Sequence, residues 1–181
     1  MRSTLLFVIG GLMLAGIIHI VTVLMVPHFA TNDAWAEMRR FGRASTFHIL
    51  PPAEAGAEPL NGLDPRLLQA VCRFTLEDGP VRITASMPDD FWSIAIFDRR
   101  GRNAYSINDR AADGEELDLA VITPVQMAQL RQNPPEAMDT AIVIELPISE
   151  GLALLRVFVP DESMLPRARA ALETADCAGT L

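Results

Sequence analysis

With 181 residues, half of them apolar, the chain can bury a core without metals or a dense disulfide framework. Its 15 basic residues are all arginines, and beyond Arg43 there are 11 of them against 21 acids. That balance of −10 repels phosphate backbones and anionic headgroups, which argues against nucleic acid as a partner.

The chain opens with MRSTLLFVIGGLMLAGIIHIVTVLMVPHF. From Leu5 to Val26, 22 residues carry no formal charge, enough for a helix to cross a hydrocarbon layer about 30 Å thick. A cleaved signal has a shorter apolar core with small residues close behind it. Here the tidy Ala34-Trp35-Ala36 lies well past the apolar run. The expectation is an uncleaved anchor over residues 1–27 that spans once. Inside it, Gly11 and Ala15 form a small-xxx-small pair of the kind that lets a second helix approach closely. Such residues are also common in membrane helices that touch nothing. Arg39, Arg40 and Arg43 follow the span and only Arg2 precedes it, which taken literally puts the carboxyl side in the cytoplasm. A short tail before an N-terminal span points the other way, to a signal anchor with an exported domain. Cys72 and Cys177 either pair in an oxidising compartment or stay as buried thiols.

Residues 28–63 are expected to form a juxtamembrane segment. After Pro27, Thr31 or Asn32 caps a short helix that Gly42 ends, and Trp35, Met38 and Phe41 share one apolar edge. That edge suits either the bilayer surface or the following domain. Residues 50–62, LPPAEAGAEPLNG, read as an extended linker.

Residues 64–181 read as a β domain. Asp64-Pro65 opens a helical turn, and from Ala70 the period changes to two, with Ala70, Cys72, Phe74 and Leu76 on one face. Glu77-Asp78-Gly79 is expected to close a hairpin onto Val81, Ile83 and Ala85. FWSIAIFD is apolar on both faces, the mark of a strand covered on both sides. Leu117, Leu119 and Val121 alternate next. Thr123, Pro124 and Gln126 then make a capping box for a helix that Pro134-Pro135 end. AIVIEL and LALLRVFV are expected to form a second hairpin, and a helix from about Pro166 to Thr174 follows. The fold class is therefore mainly β: six or seven strands in an antiparallel sandwich or jelly-roll-like domain with short helices, preceded by one transmembrane helix.

The chemistry available is narrow. The three histidines, His19, His28 and His48, all precede residue 64, so a Ser-His-Asp or Cys-His arrangement inside the β domain is not available. Two cysteines cannot build a zinc site, no glycine-rich phosphate loop follows a strand, and no cofactor is expected. Asp89, Asp90, Asp98, Asp109 and Asp118 leave paired-carboxylate chemistry open, although adjacent aspartates are more often turn formers. The candidate ligand pocket is Trp92, Tyr105, Ser106, Asn108, Asp109 and Arg110. The same stretch has a plain structural reading: Asp98 to Gly101 form a type I hairpin turn, Arg99, Arg100 and Arg102 project into water, and Asn108-Asp109 end a strand.

Taken in order, FHILPP, the Ala70–Leu76 strand, Asp78-Gly79-Pro80, Trp92-Ser93-Ile94, the Asp98-Arg99-x-Gly101 turn and Tyr105-Ser106-x-Asn108-Asp109 resemble the bacterial membrane and exported proteins of domain of unknown function 1254. The resemblance runs from about Arg39 to Val159. It implies a β-rich, jelly-roll-like domain with no assigned reaction. Longer relatives carry a second β domain, often behind an export signal. The expectation is an exported, periplasmic domain on a bacterial inner-membrane anchor that acts by association; the alternative is a small-ligand receptor or enzyme with a pocket near Trp92, Tyr105 and Asn108. The expected partner is another small membrane protein that carries the complementary domain.

Overall fold

The computed structural model describes residues 2–38, 42–51, 64–112, 116–132 and 140–178. Helix α1 (Arg2–Met38) is apolar on every side over Ser3–Val26, and its large side chains are open, from Ile9 at 47% to Phe7 at 81% exposed. A helix with no polar face needs an apolar surrounding. By length and composition this one is able to cross a membrane.

α1 does not stop at Pro27, so the separate juxtamembrane helix expected after it is a continuation of the same helix. A proline removes one backbone donor but leaves the ladder on either side intact, so a long helix can run through it. At its far end Met38 is buried against Leu50 and Val71, with Leu152 and Leu154 beside them, which docks the helix end onto the β domain. Arg39, Arg40, Phe41, residues 52–62 of the expected linker and the expected helix stop at Pro134-Pro135 lie outside the described residues.

Among the described residues eight strands form two sheets. The five-stranded sheet has the order β1 (His48–Ile49), β2 (Leu67–Thr75), β8 (Glu150–Phe158), β4 (Trp92–Asp98), β5 (Asn103–Asn108). The three-stranded sheet has the order β3 (Val81–Ser86), β6 (Glu116–Ile122), β7 (Ile142–Glu145). Period-two burial makes the strands. Cys72, Phe74, Ile94, Ile96 and Leu155 from the larger sheet meet Ile83, Leu117, Leu119 and Val121 from the smaller in one core. The outer side of β8 carries Leu152, Leu154, Arg156 and Phe158, all half-buried.

Two expected hairpins are not hairpins. β2 pairs with β8, and β3 pairs with β6, so Glu77-Asp78-Gly79 carries the chain from one sheet to the other. Likewise β7 pairs with β6, in parallel, while β8 crosses to the larger sheet. Turn residues specify a reversal of direction; they do not say which sheet receives the next strand. β2 begins at Leu67, three residues before the alternation was expected to start, and Asp64 caps an ordinary turn into it by accepting from Arg66 N at 2.9 Å. β1 lies just before the expected linker, where the sequence reading places no element.

Helix α2 (Pro124–Leu130) starts with the expected capping box: Gln126 N donates to Thr123 Oγ1 and Thr123 N to Gln126 Oε1. Gln126 Nε2 also donates to Leu76 O at 2.6 Å, tying the helix to the end of β2. A 3-10 turn (Glu162–Met164) leads into α3 (Leu165–Glu173), which buries Ala168, Ala171 and Leu172. Beyond it Thr174 Oγ1 accepts from Ser86 N, Asp176 pairs with Thr84, and Cys177 is joined to Cys72 by a disulfide. The tail is thus held against the edge of β3 and onto β2.

Candidate functional site

β4 and β5 form a hairpin, and its tip follows from Asp98. Gly101 N donates to Asp98 O at 2.9 Å, and Gly101 takes a φ of 73°, where a side chain would be strained. Asp98 Oδ1 accepts from the backbone N–H of Arg100 and of Arg102, both at 2.9 Å, while Oδ2 accepts from Arg102 Nε at 2.7 Å. Burial alone would raise this carboxyl. The backbone N–H and guanidinium of Arg102, with the N–H of Arg100, outweigh it and hold Asp98 below the usual carboxylate range. Arg102 and Arg99 project into water as expected, at 71% and 69% side-chain exposure, while Arg102 also bonds the turn and Arg99 reaches Glu150 at 2.6 Å.

The six candidate pocket residues sit along this hairpin but do not converge. Trp92 is 2% exposed and fills the core, and Tyr105 packs on the same core from β5. Ser106 is exposed on the opposite face, as strand alternation requires, with Asn108 partly exposed beside it. Asp109 donates its backbone N–H to Trp92 O, and its Oδ1 is buried without a partner. Arg110 is exposed.

Two of the other candidate carboxylates are occupied separately. Asp118 receives a bidentate Arg82 at 2.8 and 2.7 Å, whose hydrogen bonds outweigh burial and hold the carboxyl low. Asp89 meets Arg167 at 3.0 Å. Among the described residues no group of three or more His, Cys, Asp or Glu is placed to hold a metal ion.

A second arrangement escaped the sequence reading. Register pairs Gln69 with Arg156, Arg156 with Ser93, and Ser93 with Asn108, one polar row across four strands on the outer face of the larger sheet. Gln69 is 5% exposed, and Arg156 Nε is buried without a hydrogen-bond partner. Rows on either side are largely apolar: Val71, Leu154 and Ala95 below, Leu67 and Phe158 above. The sequence signal was a lone arginine in the apolar run LALLRVFV, legible only once strand order is known.

The model for a family described as protein of unknown function (DUF1254) matches residues 45–178. Among solved structures, the VPA0106 protein from Vibrio parahaemolyticus is similar at 8% identity and a TM-score of 0.57, over 82% of this chain and 34% of that one. An uncharacterised protein from Burkholderia cenocepacia aligns at 16% identity and a TM-score of 0.43, over 61% of this chain and 31% of that one. The chain thus spans about a third of the length of these structures. No curated protein matches.

Proposed function

The chain belongs to the DUF1254 family, and from that premise we propose that it is a single-span protein of the bacterial inner membrane whose periplasmic β domain acts by protein association. Its partner is a second membrane protein carrying a complementary β domain. The observation that carries this reading is α1, whose apolar surface is open on every side while its end is docked on the β domain. Span and domain then present themselves to a partner together. Gly10, Gly11 and Gly16 have nothing within 4 Å of where a side chain would start, so the small-residue face of the helix is open to another helix. The much greater length of the similar solved structure from Vibrio also supports a larger functional unit.

Two experiments test this. A reporter active only outside the cytoplasm, fused after Leu181, is expected to be active; activity from a cytoplasmic reporter alone overturns the export reading. Replacing Gly11 and Ala15 together with Leu is expected to reduce recovery of the partner from solubilised membranes. Undiminished recovery would confine the contact to the β domains.

A second reading, a small-ligand or catalytic pocket near Trp92, Tyr105 and Asn108, has one observation in its favour: the unpartnered, buried Oδ1 of Asp109. Against it stands the position of Trp92, packed as core.

A further inference from the structure

We propose that the outer face of the five-stranded sheet is where the partner docks, and that Arg156 receives a carboxylate from the partner there. This rests on the association reading and gives it a surface. A buried guanidinium N–H without an acceptor is costly, and carboxylate is the acceptor whose planar geometry suits it best. Arg156 donates no hydrogen bond and makes no ion pair among the described residues, and its Nε is shielded from water.

The surroundings narrow the occupant. Closed at Gln69, the row opens through Arg156 and Ser93 towards Asn108 and the exposed Ser106, so access is from the β5 side. On β2, β8 and β4 the polar row lies between apolar positions two residues away, about 6.6–6.8 Å by strand geometry, whereas Asn108 on β5 is flanked by Ser106 and Arg110. An extended partner segment with Asp or Glu flanked at i−2 and i+2 by apolar residues matches that spacing. A lipid phosphate matches it less well, because headgroups have no apolar flanks at this spacing. The local charge favours the same occupant, because Arg156 makes no ion pair among the described residues.

The test places a photo-crosslinking amino acid at Ser106 in the full chain, in its native membrane, and sequences what it captures. The expected capture is a segment of another protein with an acidic residue between apolar ones. Adding Arg156→Gln is expected to cut its yield about ten-fold, with Arg169→Gln on α3 leaving it unchanged. A thermal melt of the Arg156→Gln chain alone is expected to match the parent or exceed it, since the substitution removes an unpaired N–H shielded from water. A fall of several degrees would assign Arg156 to a contact within the chain and overturn the proposal. So would capture of a segment without an acid, of lipid, or of a second copy of this chain. If nothing crosslinks at Ser106 while a partner still co-purifies, the surface is wrong and the association reading stands. If no partner is recovered either, both fall.

Discussion

Asp98 accepts three hydrogen bonds while only 8% exposed, so its negative charge is part of the hairpin's structure. Asp98→Asn is expected to cost about 1–3 kcal/mol in denaturant unfolding of the solubilised chain, because charge-assisted bonds are weakened at a buried site. Asp98 and Asp118 both have carboxyls held below the ordinary range in the folded state. Their contribution is therefore full above the unfolded Asp pKa of about 3.9 and is lost as pH falls through the lower folded values. Thermal melts should show stability dropping below about pH 4, and an Asp98→Asn, Asp118→Asn double variant should be flatter in that window. At this scale the sequence was legible where bonding is local. Asp98 and Gly101 announce their turn, and Thr123 and Gln126 their cap. Arg102 and Arg156 were not legible, because what each guanidinium meets depends on how the strand folds back and what lies beside it.

Gly151, at the start of β8, shows why a strand lies where it does. A Cβ there would stand 2.7 Å from Phe74 Cζ and 3.0 Å from Phe97 O, so β2 and β4 close on β8 only because position 151 has no side chain. Gly151→Ala is expected to destabilise by about 1–3 kcal/mol through overpacking, read as a lower denaturation midpoint with an unchanged m-value. Element existence was largely legible: alternation placed the long strands, and the capping box at Thr123 placed α2. Pairing was not. The turns after β2 and β7 carry the residues of a hairpin, yet both lead to the opposite sheet, and β1 is too short to show a period. Pro27 misled for the opposite reason, a local breaker overridden by the long helix around it.

Across the whole molecule, the disulfide between Cys72 and Cys177 closes a loop over a sequence separation of 105 and pins the tail after α3 to β2. In the chain-entropy picture such a closure contributes about 4–5 kcal/mol. Replacing both cysteines with Ala is expected to lower the stability of the solubilised chain by about that amount, and reduction with dithiothreitol should reproduce the loss in the parent protein alone. A bond of this kind is at home in an oxidising compartment, consistent with the proposed export. The measurement that bears most directly on association is the mass of the intact assembly, extracted from its native membrane in mild detergent and weighed by native mass spectrometry. The predicted result is a complex of this chain with a second membrane protein that carries a β domain. A spectrum containing only this chain, alone or as copies of itself, would contradict the proposal.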